Sequence, residues 1–224
     1  QIKFTIHIST KNTNRLMKNI YFTILLIPIF ILLLSFKVFV YDENFYKEQF
    51  RENKVYTKYN ESYVNNISSN LVNYFRSKEN LGNYYTEREK IHLEDVKILI
   101  NKALKIFYIL FIVLLIIFSY LLQKKDYKTL SKILKYGGIL NLIIYFIIFI
   151  VSLINFEKFF IKFHELFFVN DYWMLSPNDI LVNVFTQEFF NTILRKIITT
   201  SLILSLVFIV AGIFIEKAYK HRTL

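Results

Sequence analysis

The 224-residue sequence contains no cysteine. That excludes disulfides, thiolate nucleophiles and cysteine-ligated metal sites. Glycine (four) and proline (two) are scarce. No Gly-x-Ser-x-Gly elbow occurs, no internal repeat or low-complexity tract breaks the chain, and no ATP site is visible. The amino-terminal tail has no acidic residue. Histidine occurs only four times, at His7, His92, His164 and His221, so each is worth weighing.

What the chain does have is grease. It is 54% hydrophobic and 18% aromatic, and its apolar residues gather in four runs: Ile20–Phe36, Ile106–Leu122, Ile139–Ile154 and Ile197–Ile215. Each is close to the roughly 17–25 residues that cross a bilayer as a helix. The expectation is an all-α integral membrane protein with four transmembrane helices. The first run is too long for a signal-peptide core and no small-residue cleavage site follows it, so it reads as a retained span.

A net charge of +11 raises the question of nucleic acid, and the placement of the charge answers it. Twelve basic residues (Lys3, Lys11, Arg15 and Lys18; Lys124, Lys125, Lys128, Lys132 and Lys135; Lys217, Lys220 and Arg222) face two acids, Asp126 and Glu216, on one side of the four spans. Positive-inside reasoning makes that side cytoplasmic, and an anionic inner leaflet accounts for the excess. No nucleic-acid partner is expected. Segment Tyr41–Lys97 is nearly neutral, with nine basic and ten acidic residues.

The expected plan is a cytoplasmic tail (1–18), a span (19–40), a cap segment (41–97), a span (98–122), a cytoplasmic loop (123–135), a span (136–155), a second cap segment (156–191), a span (192–215) and a cytoplasmic tail (216–224). The two outward segments form a small aromatic-rich extracellular cap. Within the first, the alternation in "KVYTKYN" suggests a short strand. Val64, Ile67, Leu71, Val72 and Phe75 recur at helical spacing over about Glu61–Ser77. "NLGNYY" reads as a turn. Thr86, with Glu89 three residues on, forms a capping box for a helix that carries His92 towards the second span. The second segment continues from the third span through Phe156, Phe160, Phe163, His164 and Phe167 at neighbouring helical positions. "SPND" starts another helix, with Ser176 as N-cap and Pro177 at its first position, whose face Ile180, Val184, Phe185 and Phe189 lies along the membrane or under the cap.

His7 and His221 sit among basic residues in the tails, where a solvated role is the default. His92 and His164 are different. From the ends of their spans, His92 stands about 16 Å and His164 about 13 Å above the hydrocarbon, which is headgroup depth. The residues alone leave three readings open: amphipathic interfacial histidines, a metal site, or acid–base chemistry. Glu89 and His92 make one Glu-x-x-His pair, whereas di-iron bundles need two, so no metal is expected. A transporter is disfavoured because no charge sits near the middle of a span.

The motifs "YTEREKIHLEDVK" (Tyr85–Lys97) and "FHELFFVNDYWMLSPND" (Phe163–Asp179), with histidines 72 residues apart, resemble the lipoprotein intramolecular transacylases of low-GC Gram-positive bacteria. The hydropathy plan is similar too. At Thr186, in "FTQEFF", the pattern departs, since proline is expected there. The resemblance implies an acyltransferase that uses no cofactor. Its substrate would be a diacylglyceryl lipoprotein held among membrane lipids, and the sn-2 acyl chain would move from glycerol oxygen to the amino-terminal cysteine nitrogen. The implied catalytic residues map onto His92 and His164, one as base and the other as oxyanion stabiliser or acid, with the order open. Glu89, Glu94, Asp95, Asn170 and Asp171 are candidates to support or orient them. Tyr84, Tyr85, Phe160, Phe163, Phe167 and Trp173 are candidates to confine the acyl chains. A metal-dependent hydrolase and a non-enzymatic scaffold are the rival classes.

Overall fold

The computed structural model describes residues 2–221, with side chains from residue 20 onward. The basic side chains of the amino-terminal tail, His7 and Arg222 lie outside the described residues. Among those described, the elements are α1 (Ile2–Phe39), α2 (Glu43–Glu52), α3 (Val55–Lys58), α4 (Glu61–Phe75), α5 (Glu87–Gln123), α6 (Tyr127–Ile154), α7 (Phe156–Phe167), α8 (Ile180–Val184) and α9 (Gln187–Lys220). Parts of α1, α5, α6 and α9 are long and apolar enough to cross a membrane, as the four hydrophobic runs require. A helix is the natural answer there, because it satisfies every backbone polar group within the segment.

The chain divides into two compact units. One takes residues 2–34, 107–147 and 199–221 from the four long helices. Its core is Ile27, Ile31, Leu114, Leu121, Leu130 and Ile133. Helices α6 and α9 approach backbone to backbone at two glycines. A Cβ at Gly138 would stand 2.8 Å from the Ser205 carbonyl oxygen, and one at Gly212 would stand 2.8 Å from that of Ser131. Small residues at such crossings replace the hydrophobic drive that lipid removes. Between them the fully buried Asn141 donates from Nδ2 to the Ser201 carbonyl at 3.0 Å and to Ser205 Oγ. The expected loop 123–135 is mostly helix. Asp126 Oδ1 accepts from the Thr129 amide at 3.0 Å and caps α6, so Lys128, Lys132 and Lys135 ride on its first turns.

The second unit, Ser35–Ile106 with Ile148–Ile198, holds the cap. Asp42 caps α2 by accepting from the amides of Asn44 (3.1 Å) and Phe45 (3.0 Å). Helix α4 buries the expected Val64, Ile67, Leu71, Val72 and Phe75. These meet Phe50, Val184, Phe185 and Phe189 in one core. Phe50, Phe185 and Phe189 pack as a triad with centroids 5.2–5.9 Å apart, each ring contributing roughly 1.5–3 kcal/mol by burial. The face Ile180–Phe189 therefore lies under the cap.

Three local expectations are corrected. The alternating "KVYTKYN" is no strand. Lys54 turns the chain at φ 57° and Val55–Lys58 forms a helical turn, because among the described residues no second strand satisfies an extended backbone. Ser176 and Pro177 do not begin a helix. The Ser176 amide donates to Asp179 Oδ2 at 2.7 Å, closing a turn, and α8 starts at Ile180. The third span does not run on into the second cap segment. The chain breaks at Asn155, whose side chain accepts from the Lys158 amide and caps α7 as a separate helix. At Thr186, proline's absence is compensated by capping, with the hydroxyl accepting from the Phe189 amide at 3.3 Å to start α9.

Candidate functional site

At about 1.5 Å per residue, the 37 residues of α5 measure about 55 Å against a hydrocarbon thickness of about 30 Å. The first turns of α5, ahead of the apolar run that begins at Ile106, therefore stand clear of the span. Their start is the expected capping box. The Thr86 amide donates to Glu89 Oε2 at 2.7 Å, and the Glu89 amide donates to Thr86 Oγ1 at 3.3 Å. Glu89 goes further than the box. It is fully buried, and its other oxygen, Oε1, accepts from the Leu181 amide at 2.7 Å. One carboxylate thus fastens the amino ends of α5 and α8. The side chain spends these bonds on the two helix starts, and neither goes to His92.

Arg88, His92 and Asp95 follow at i, i+4 and i+7, which is one stripe of α5. The stripe faces the end of α7 and the loop after it. His92 and His164, 72 residues apart in sequence, lie with ring centroids 5.9 Å apart. Both are buried. Phe160 covers His164 from the preceding turn at 4.2 Å, and Trp173 covers it from the loop at 5.0 Å. Phe163 stands at 5.6 Å. Phe167 packs on Phe163 at 4.7 Å and is half exposed.

The hydrogen bonding of the two rings differs. His164 Nδ1 lies 2.7 Å from the Phe160 carbonyl oxygen. A carbonyl can only accept, so Nδ1 carries the proton and Nε2 of the neutral ring has the free lone pair. His92 Nδ1 is buried without a partner. An orphaned acceptor is less costly than an orphaned N–H, which favours the tautomer with the proton on Nε2. Burial, reinforced by the neighbouring His164, pushes the His92 pKa down to about 4, against a smaller opposing pull from Asp95. Burial also lowers that of His164, with the Phe160 carbonyl opposing. Two neutral imidazoles with opposite capacities, one donor and one acceptor, therefore share an aromatic pocket.

The loop behind them is tied to α5 twice. Asn170 Nδ2 donates to Asp95 Oδ2 at 2.9 Å. Arg88 donates from Nε to the Met174 carbonyl at 3.0 Å and from its guanidinium end to the Asp171 carbonyl, and it stacks over the Tyr172 ring. The Asp171 side chain is exposed, so its contribution comes from the backbone. Tyr85, a candidate acyl-chain aromatic, is instead part of the cap core. It is 4% exposed and its hydroxyl donates to the Ile67 carbonyl at 3.0 Å. Tyr84 packs beside it, against Tyr63. Glu94 is exposed and off the stripe.

Sequence reasoning missed two members. Phe168 stands edge-on to His92 at 5.2 Å and contacts His164 at 5.5 Å. It directly follows α7, where helical periodicity no longer says which way a side chain points. Arg88 was legible through its i−4 relation to His92, but nothing local indicates that it binds loop carbonyls. Among the described residues, no group of three or more His, Asp or Glu side chains converges to hold a metal ion.

Three solved structures resemble the whole fold, all of the membrane-integral lipoprotein intramolecular transacylase Lit from Bacillus cereus. The first is 24% identical, with a TM-score of 0.83, covering 94% of this chain and 99% of that one. A form with a histidine-to-arginine mutation is 23% identical, with a TM-score of 0.78, covering 96% and 99%. A form with a histidine-to-alanine mutation is 23% identical, with a TM-score of 0.80, covering 95% and 99%. No curated protein matches the sequence. The family model of lipoprotein intramolecular transacylase Lit matches residues 21–190. Since that match takes in most of the chain, the motif pair, and both buried histidines, this protein belongs to the lipoprotein intramolecular transacylase family and is a multi-pass membrane enzyme.

Proposed function

We propose that the protein moves the sn-2 acyl chain of a diacylglyceryl-cysteine lipoprotein from glycerol oxygen to the amino-terminal cysteine nitrogen, leaving a lyso-form lipoprotein. The observation that carries this reading is the 5.9 Å pairing of His92 with His164, with complementary tautomers and no protein nucleophile needed. Nucleophile and acyl donor both belong to the substrate, and ester to amide runs downhill.

In this reading His164 is the base. The cysteine α-amine, with an ordinary pKa near 8, attacks the ester carbonyl in its neutral form. His164 Nε2 takes the proton that the nitrogen sheds as the C–N bond forms. The Phe160 carbonyl on Nδ1 steadies the resulting imidazolium. His92 stays neutral and donates a hydrogen bond from its Nε2–H to the oxyanion. A neutral imidazole is a suitable donor there, since it does not compete for the proton being moved. Collapse breaks the C–O bond, and His164 returns its proton to the glycerol oxygen, so no proton is gained or lost overall. Acid–base catalysis of this kind contributes typically about 10²–10⁴-fold. Confinement by Phe160, Phe163, Phe168 and Trp173 adds an entropic share by holding ester and amine together.

The same reading puts both termini in the cytoplasm and the cap outside. It is supported by the basic 2–3 connection and carboxy-terminal residues Lys217 and Lys220. Expression in a bacterium that lacks lipoprotein N-acylation, followed by mass spectrometry of lipoprotein amino termini, tests the activity. The expected product carries an N-acyl group and a lyso-glyceryl group. Lipopeptides that keep a diacylglyceryl group and a free amine, with the protein folded in the membrane, would refute it. Full activity in both His92→Ala and His164→Ala would refute the site alone.

A further inference from the structure

Helix α7 buries a single residue, His164, and its remaining surface is divided. At about 100° per residue, Phe156, Phe159, Phe160, Phe163, Leu166 and Phe167 fall on one side. Glu157, Lys158, Lys162 and Glu165 fall on the other, with the half-buried Ile161 among them, and His164 lies on the border between the two sides. Phe160 packs on Phe190 at 5.5 Å, but towards the carboxy end of the helix the apolar side has little protein over it. Leu166 is 77% exposed, Phe167 48% and Phe163 39%, while Val169, just past the helix, is fully exposed. In water this would be an unusual patch of large apolar side chains.

What covers it is indicated by what precedes it. The last turn of the α6 span presents Val151, Leu153 and Ile154 outward, Ile154 at 78% exposure. Only Asn155 separates that turn from α7. The apolar surface of a membrane span thus continues across one capping residue onto the apolar side of α7, and its charged side is free for water and headgroups. We infer that α7 lies in the membrane interface on the cap side, its Phe163–Leu166–Phe167 face and Val169 covered by lipid acyl chains. Interfacial helices of this pattern sink their apolar face about 5–10 Å into the headgroup–acyl boundary. His164, on the border of the two faces, is then held at the waterline. There a glyceryl ester meets an amine, which gives α7 a depth-setting role; only that consequence rests on the transacylase reading.

The absence of cysteine makes the test clean. Single variants Leu166→Cys, Val169→Cys, Lys162→Cys and Glu165→Cys carry a nitroxide in the full-length protein, in phosphatidylglycerol–phosphatidylethanolamine vesicles. Collision with oxygen and with a water-soluble nickel complex is then read by electron paramagnetic resonance. The expected result is a reversal of the oxygen-to-nickel ratio between faces, high at 166 and 169 and low at 162 and 165. Equal, nickel-accessible signals at all four positions would overturn the inference. So would dipolar broadening at 166 and 169 that vanishes on dilution with unlabelled protein, which means a second copy covers the face. Because the readout is depth, it stands or falls separately from the lipopeptide masses.

Discussion

Replacing His92 with asparagine removes a group that makes the fold sensitive to acid. His92 has a folded pKa of about 4 against an ordinary 6.5 in the unfolded chain. As pH falls below 6.5 the unfolded chain takes up a proton that the folded protein refuses. Stability therefore drops with falling pH from about 6.5 and levels off below about 4. At about 1.4 kcal/mol per tenfold difference in proton affinity, the full loss is about 3 kcal/mol, of which about 2 kcal/mol is reached at pH 5. The asparagine variant lacks this contribution whatever its stability at pH 7. Between pH 7 and 5 the wild-type Tm should fall roughly 4–8 °C further than that of the variant, measured by thermal unfolding in detergent at matched ionic strength. Parallel pH dependences in the two proteins would refute the argument, since they would mean that His92 charges as easily folded as unfolded.

Glu89→Ala leaves the amides of Thr86 and Leu181 without their acceptor. At about 1.5–3 kcal/mol for each of the two bonds, the loss should be about 3–6 kcal/mol by denaturation. A loss under about 1 kcal/mol contradicts the two-helix clasp. Trp173 is the only tryptophan and stacks 5.0 Å from His164. Protonating that ring should quench its emission with a midpoint below 6.5, and the titration should disappear in His164→Ala. The transacylation rate in vesicles should rise from pH 5 to 8, first as His164 loses its proton and then as the substrate amine does. A rate that falls over pH 6–8 is incompatible with a neutral histidine base.

The four spans were readable because hydrocarbon imposes one requirement, a long apolar stretch with internally bonded backbone, and Ile20–Phe36 and its three counterparts meet it visibly. The capping box was equally readable, since Thr86 and Glu89 act across three residues. Local signals misled where a partner was needed to decide the outcome. Val55 and Tyr56 alternate like a strand but have no strand to pair with, and Ser176 begins like a helix but closes a turn on Asp179. Tyr85 was a candidate to confine the acyl chains beside the histidines. Its ring went instead to the cap core, where its hydroxyl finds the Ile67 carbonyl.

Composition and periodicity by themselves determined that this chain is a four-span helical membrane protein and singled out His92 and His164 at similar depth. The tertiary structure alone decided that the two rings meet, that Phe160 fixes the tautomer of one while the other is left with an unpartnered Nδ1, and that Glu89 serves α8 as well as α5. The reason is range. Helix formation and membrane crossing depend on neighbours within a few turns, whereas the contact of residues 72 positions apart depends on how α5, α7 and the Arg88-bound loop pack.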